Sequence, residues 1–174
     1  MLERRSALAS ARPYASPVLQ IAEARGFSLL QVAGPAKAIS PITGKLPGKV
    51  GVATKSDGRT LMRTGENQFW IIGPENDDIA TKLNGIAILT PLSHSRTRIF
   101  IEGAPARDVL TKSIPLDFHP TVFKPGTFAM TGIHHTPVLV HCVSENRFEI
   151  YALRTFALSV YDWLTDAALE FSGH

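Results

Sequence analysis

The residues best able to do chemistry are the six histidines and the single cysteine. The densest group is formed by two adjacent pairs, His134-His135 and His141-Cys142. Neighbouring side chains on a strand point to opposite faces of the sheet, so neither pair can place both members on one metal ion. No spacing in the chain matches an established zinc site. The pattern is typical of surface or edge-strand histidines and of a buried, inert thiol, and it predicts no metal site.

Other catalytic and phosphate-binding motifs are incomplete. The stretch Gly44–Val50 has three residues between its glycines, and no hydroxyl residue follows its second lysine, whereas a phosphate-binding loop needs four residues and a Ser or Thr. The run Ser93-His94-Ser95 sets hydroxyls beside an imidazole, but adjacent strand residues do not face each other and no GxSxG turn is present. The sequence therefore predicts no catalytic and no cofactor-binding residue in this chain.

One basic residue breaks a local rule. Arg154 lies where a predicted strand meets a predicted helix, and a cation at a helix N-terminus is unfavourable. A carboxylate should offset this cost. An internal salt bridge to Glu102, Asp108 or Asp117 is the commoner arrangement, and an acidic group on a partner is the alternative. The second arrangement makes Arg154 an interface candidate.

Composition and charge limit the classes of protein that this chain can represent. A chain of 174 residues with 44% hydrophobic residues predicts a globular protein. The net charge of +3 is spread along the chain, without the basic stripe of a nucleic-acid-binding protein. No apolar run reaches the roughly 20 residues that span a bilayer. Because Cys142 is the only cysteine, an internal disulfide is excluded, and the expected location is the cytoplasm.

The N-terminal residues differ from the rest of the chain. Their first part is rich in Ala, Ser, Arg and Pro, and it predicts a flexible arm over residues 1–22, followed by a single domain over residues 23–174. Three apolar or aromatic residues of the arm, Tyr14, Val18 and Leu19, are candidates for contact with a partner.

Hydrophobic periodicity predicts strand–helix–strand twice over, which is an α+β layout. Apolar residues from Phe156 to Phe171 recur at helical spacing and form one stripe. The predicted strands are 26–32, 49–53, 68–72, 86–92, 96–102, 127–132, 138–143 and 148–153; the predicted helices are 74–83, 104–110 and 156–171; and the predicted loops are 41–48 and 113–126.

The C-terminal half resembles a known family. Residues 147–151, the motif Arg154-Thr155-Phe156-Ala157 and residues 163–171 closely resemble the C-terminus of the gamma subunit of heterotetrameric sarcosine oxidase. The resemblance covers residues 86–174. Upstream it continues through residues 92–97, 106–110, 115–120, 123–126 and 134–139.

The resemblance implies both a fold and a role. The implied fold is that of the folate-binding domain of aminomethyltransferases, with two interlocked β-α-β units and mostly antiparallel sheets. The implied role is that of a non-catalytic assembly subunit, with alpha, beta and delta subunits as partners. That complex demethylates sarcosine oxidatively to glycine, using tetrahydrofolate and oxygen. Its FAD, FMN, NAD, zinc and tetrahydrofolate belong to the partner subunits.

One departure from the aminomethyltransferases bears on chemistry. Those enzymes carry an acidic residue in a Gly-Gly-x-x-Asp hairpin, whereas the corresponding segment here, Thr131–Pro137, has no carboxylate. A segment without a titratable carboxylate cannot supply that acid–base group. The expectation is a fold that was kept while its site was lost. The alternative is a stand-alone folate-binding or aminomethyl-transferring protein, which requires a groove with a carboxylate and an apolar floor for a pterin.

Overall fold

The computed structural model describes residues 5–171 and has the mixed α+β architecture that the sequence predicts. Groups of two or three strands alternate with single helices along the chain. The strands, in chain order, are β1 Tyr14–Ala15, β2 Leu19–Glu23, β3 Phe27–Ala33, β4 Ala53–Ser56, β5 Arg59–Gly65, β6 Gln68–Pro74, β7 Ile88–Pro91, β8 Arg96–Gly103, β9 Phe128–Ile133, β10 Thr136–Ser144 and β11 Arg147–Leu153. The helices are α1 Ala36–Thr43, α2 Ile79–Leu83, α3 Ala106–Ser113 and α4 Ala157–Ala168, with single 3₁₀ turns over Arg154–Phe156 and Leu169–Phe171.

The chain divides into two compact units, each with its own sheet. The described part of the first unit comprises residues 5–24, 95–125 and 129–171, and the second comprises residues 25–94 and 126–128. The first unit contains a six-stranded sheet in the order β1-β2-β8-β11-β10-β9. The second contains a five-stranded sheet in the order β4-β5-β6-β3-β7. Chain neighbours such as β10 and β11 pair antiparallel, and so do distant strands such as β2 and β8.

Strand alternation builds the core of the first unit. On β11, Phe148 and Ile150 face the core, and on β8 the partners that pair with them, Ile101 and Ile99, do the same. All four side chains are fully buried. The next residues along each strand point to the opposite face, because side chains alternate with a period of two. That opposite face carries the polar cluster described below.

Helix α4 closes the same core with the face that the sequence predicts. Val160, Leu164 and Ala168 are buried in it, and so is Tyr161, which the apolar stripe did not include. Tyr161 is held by its hydroxyl, which donates to the carbonyl of Arg12 at 2.7 Å. Phe156, the first member of the predicted stripe, is instead 45% exposed. No helix within residues 5–171 is long and apolar enough to cross a bilayer.

The predicted loop 113–126 is irregular over most of its length, and an arginine fixes it. Arg107 on α3 donates to the carbonyls of Phe118 and Phe123, and its guanidinium lies 5.0 Å from the centre of the Phe148 ring. The rings of Phe118 and Phe148 meet edge to face at 5.9 Å. The loop is therefore anchored on the core, although it has no regular hydrogen bonding.

In the second unit, an ion pair sets where α2 begins. Arg59 donates twice to the carboxylate of Asp77, at 2.6 and 2.7 Å. Asp77 in turn accepts the backbone N–H of Ile79 at 3.0 Å and satisfies a donor of the first helical turn. The sequence predicts this helix from residue 74, whereas β6 continues to Pro74 and the helix begins at Ile79.

Helix α1 is a correction to the sequence prediction. The sequence predicts a loop from residue 41 to residue 48 because turn-forming residues are dense there, yet α1 runs through Pro41 to Thr43 although proline disfavours a helix interior. Ile39 and Thr43 are fully buried on one face of this helix, and their burial offsets the local cost. Gly44 then ends the helix at a φ of 86°, where a Cβ would lie 2.2 Å from the Ser56 hydroxyl.

The N-terminus also differs from its sequence prediction. In the segment that the sequence places in a flexible arm, residues 14–15 form β1 and residues 19–22 form most of β2, so the predicted boundary at residue 22 falls inside a strand. Leu19 and Ile21 alternate with more exposed residues and are buried in the first unit's core. Since β2 pairs with β8, a partner distant in sequence, local composition did not reveal it.

Candidate functional site

The β9–β10 hairpin contains Thr131–Pro137, the segment in which the sequence predicts that a folate-handling acid is missing. Its turn is formed by His134, at a φ of 50°, and His135. The His134 ring contacts Trp163 of α4, with 4.5 Å between ring centres. The hairpin thus docks an imidazole on an indole, and Thr131–Pro137 offers no carboxylate to a ligand.

A buried polar cluster lies in the middle of the six-stranded sheet. In the strand register, Glu149 of β11 pairs with His141 of β10, and Tyr151 pairs with Arg98 of β8. The Tyr151 hydroxyl donates to Glu149 Oε2 at 2.7 Å, and Arg98 Nη1 lies 3.8 Å from Glu149 Oε1. Arg98 and Glu149 are only 18% and 14% exposed. The cluster therefore neutralises one carboxylate inside the sheet.

The environment holds Glu149 ionised. Burial alone would raise the pKa of this carboxyl, but His141, the charge of Arg98 and the Tyr151 hydroxyl outweigh it and lower the pKa to about 2. Burial and the nearby Glu149 charge raise the pKa of Tyr151 well above its usual value. A carboxylate with so low a pKa and a phenol with so high a pKa do not exchange protons near neutral pH. The cluster is built for structure rather than for proton transfer.

The position of His141 also corrects the sequence prediction. The sequence predicts surface or edge-strand histidines, but β10 is an internal strand and His141 is buried. Its Nδ1 lies 4.0 Å from Glu149 Oε2, too far for a hydrogen bond, and has no hydrogen-bond partner within residues 5–171. His134 and His135 do lie in a turn. No group of three metal-binding side chains occurs in the described part of the chain.

Cys142 lies in the core as the sequence predicts. It points away from His141, and its sulfur lies 3.2 Å from the carbonyl of Ser144. Burial raises the pKa of the thiol, and the nearby Arg107 offsets only part of this. A thiol with a raised pKa in the core is a poor nucleophile.

Arg154 is placed differently from the expected internal salt bridge. Its guanidinium donates to the carbonyl of Arg5, and none of the three expected carboxylates pairs with it. Glu102 pairs with Arg147, and Asp117 accepts the N–H of His119. Within residues 5–171 the charge of Arg154 therefore has no carboxylate partner. Two exposed apolar side chains, Phe156 and Leu158, follow it at 45% and 39% exposure.

The three other interface candidates, Tyr14, Val18 and Leu19, lie on or next to β1 and β2, the first two strands in the order of the six-stranded sheet. Leu19 is only 2% exposed, and the Tyr14 hydroxyl donates to the carbonyl of Ala168 at 2.8 Å. These two side chains are therefore engaged within their own unit. Val18 is 48% exposed and remains available for contact.

Comparison with known proteins decides the family. The sarcosine oxidase gamma subunit family matches residues 77–170, more than half of the chain. This chain belongs to the sarcosine oxidase gamma subunit family. The gamma subunit of sarcosine oxidase from Corynebacterium sp. (strain U-96) is 32% identical over 133 residues, or 73% of this chain. The match spans 65% of that relative's own length.

Solved structures agree with the family and with the fold. A chain of the heterotetrameric sarcosine oxidase from Corynebacterium sp. U-96 superposes with a TM-score of 0.88 at 27% identity, covering 98% of this chain and 97% of that chain. Aminomethyltransferase T of the glycine cleavage system from Bartonella henselae superposes with a TM-score of 0.64 at 15% identity, covering 86% of this chain and 46% of that chain. The second likeness concerns the fold alone, and it confirms the expected aminomethyltransferase-like fold of this family member.

Proposed function

We propose that this chain is a non-catalytic assembly subunit of a heterotetrameric sarcosine oxidase. The observation that carries the proposal is the superposition, over nearly the full length of both chains, on a chain of such a complex. The partners are its alpha, beta and delta subunits. The complex as a whole demethylates sarcosine oxidatively to glycine, with tetrahydrofolate and oxygen as co-substrates, and it works in the cytoplasm.

The chemistry of the described residues supports a role without turnover. The carboxylate of Glu149 is held ionised inside the sheet, and Cys142 is buried with a raised pKa. The β9–β10 hairpin carries no acid where an aminomethyltransferase would need one. FAD, FMN, NAD, zinc and tetrahydrofolate accordingly belong to the partner subunits.

A direct test is titration of the isolated chain with tetrahydrofolate in a calorimeter. We expect no saturable heat, because the hairpin lacks the carboxylate that would hold the folate amine. An aminomethyltransferase T titrated under the same conditions is the positive control. Tight one-to-one binding by this chain would contradict the proposal and favour a stand-alone folate-binding protein.

Arg154 gives a second test, because it carries a charge with no carboxylate partner among the described residues. We name Arg154, Phe156 and Leu158 the Arg154 surface and propose that it meets an acidic region of a partner. Arg154→Ala should weaken co-assembly with the alpha, beta and delta subunits about tenfold or more, since truncating one member of an interface charge pair is costly. The melting temperature of the isolated chain should change little, because removing a cation from a helix start offsets the loss of one exposed hydrogen bond to the Arg5 carbonyl.

The assay is co-expression of the four chains followed by size-exclusion chromatography and measurement of sarcosine-dependent oxygen uptake. Lys55→Ala is the matched control, because Lys55 is an exposed cation on β4 in the other unit. Similar losses of assembly for both variants, or a fall in melting temperature that parallels the loss of assembly, would refute this use of Arg154.

A further inference from the structure

An open groove lies on the first unit, at the end of β8. Its volume is about 480 Å³, which is within the range of ligand pockets, but it is open rather than enclosed. An apolar floor and two carboxylates line it. The lining residues are Val18, Ala104, Pro105, Asp108, Glu170 and Phe171.

The backbone fixes the shape of this groove. Gly103 pairs with Leu19 and has a φ of 144°, and a Cβ there would lie 2.1 Å from the carbonyl oxygen of Val18. Only glycine permits so close an approach at that φ. The chain then turns through Ala104 and Pro105 into α3, while Phe171 follows α4 on the other side. The groove is thus set by the sheet and two helices of one compact unit, which makes it preformed.

The two carboxylates at the rim of the groove differ in whether they form an ion pair. Glu170 forms an ion pair with Lys112, and the Lys112 ammonium lies 4.9 Å from the centre of the Phe171 ring. Asp108 is exposed and has no cation partner within residues 5–171. The groove therefore combines an apolar floor with an exposed carboxylate that forms no ion pair among the described residues and is balanced only by the N-terminus of α3. Its complement is an apolar side chain next to a cation, as in a segment whose Lys or Arg lays its stem on the floor and its head on Asp108.

We propose that this groove docks a segment of another subunit of the complex, a segment that carries an apolar side chain beside a lysine or arginine. The inference rests on the proposed function, because the occupant is a chain of that assembly. It adds the location of the contact and the chemistry of the partner. The site is separate in sequence from Arg154, and its charge is of the opposite sign, so the two surfaces select different partner segments.

The test uses the co-expressed complex with a photo-crosslinking benzoyl-phenylalanine in place of Ala104. We expect irradiation to join this chain to a peptide of the alpha, beta or delta subunit, and mass spectrometry to show Lys or Arg within a few residues of the crosslinked apolar position. The control carries the same crosslinker at Met130, which is 61% exposed on β9, an edge strand three places from β8 in the same sheet.

Variants that change the charge of the groove provide an independent test of the proposal. Asp108→Lys should weaken co-assembly by tenfold or more, and Asp108→Asn by less, with a reduced dependence on salt. Asp166→Asn, an exposed acid on α4, should leave assembly unchanged. Unaltered assembly of Asp108→Lys would overturn the proposal even if the crosslinker perturbed the groove.

The remaining outcomes separate the two proposals. If position 104 crosslinks to a second copy of this chain or to residues 172–174 of the same chain, the proposal that another subunit occupies the groove is wrong. If only position 130 captures a partner subunit, the groove is wrong while the assembly role stands. If the unmodified chain does not assemble with the alpha, beta and delta subunits at all, the proposed function fails, and the groove inference fails with it.

Discussion

Phe148→Ala should lower the free energy of unfolding by about 3–5 kcal/mol, as is usual for removing a fully buried phenylalanine. The Phe148 ring joins its own strand β11 to helix α3 and to the loop of residues 113–126. It packs against Phe118 and Phe123 of the long loop, and the guanidinium of Arg107 lies over it. Truncation would leave a cavity in the core and also remove the platform on which Arg107 holds the loop.

Urea denaturation monitored by circular dichroism measures this effect. Phe156→Ala is the matched control, because the same chemical change at a side chain that is 45% exposed should alter the free energy of unfolding by no more than about 0.5 kcal/mol. Equal effects of the two substitutions would show that the aromatic cluster is not part of the stabilising core.

Glu149→Gln should lower the free energy of unfolding by about 3 kcal/mol near neutral pH. The substitution keeps the shape of the side chain and removes a buried charge that lies 3.8 Å from Arg98 inside the sheet. The same magnitude follows from the pKa of Glu149, which the fold lowers from its ordinary 4.5 to about 2.

The effect should depend on pH with a defined sign. A carboxyl with a lowered pKa contributes its stabilisation above its unfolded pKa of 4.5 and loses it as the pH falls toward 2. The difference between wild type and Glu149→Gln should therefore be largest at pH 6 and should shrink by about half at pH 3. Urea denaturation at both pH values measures this.

Glu102→Gln is the control for the charge itself. Glu102 also pairs with an arginine on this sheet, Arg147, but its side chain is 48% exposed. Solvent screens such a pair, so its loss should cost at most about 1 kcal/mol. A difference between wild type and Glu149→Gln that did not vary with pH would contradict the assignment of a lowered pKa to Glu149.

Local sequence patterns correctly predicted the strands and helices that have a clear hydrophobic periodicity of their own. The alternation in β11 and the apolar stripe of α4 both gave the right structure, because each buries one face of a long regular segment. Helix α1 was missed because Pro41 and the flanking turn formers outweighed a short buried face. Strand β2 was missed because what holds it is β8, about 80 residues further along the chain.

The polar cluster could not be found by reading neighbours in sequence. Glu149 and Tyr151 lie two apart and so share a face, which is a signal that the sequence contains. Their partners Arg98 and His141 come from two other strands and meet them only through the sheet register. The same absence of long-range information explains why an internal salt bridge was expected for Arg154, and why Tyr14 was not seen to dock on the end of α4.

The division of the first unit among three stretches of chain has a consequence during synthesis. The second unit draws nearly all its residues from 25–94, so the ribosome delivers almost everything it needs in one piece. Strand β2, by contrast, must wait for β8, about 80 residues further along the chain, and then for Tyr161, which bonds to the carbonyl of Ile21 across a separation of 140 residues. Contacts so distant along the chain close slowly. During synthesis, the edge of β2 that β8 will cover therefore stays open until β8 has emerged, and this interval is when the segment is most exposed to aggregation and to proteases.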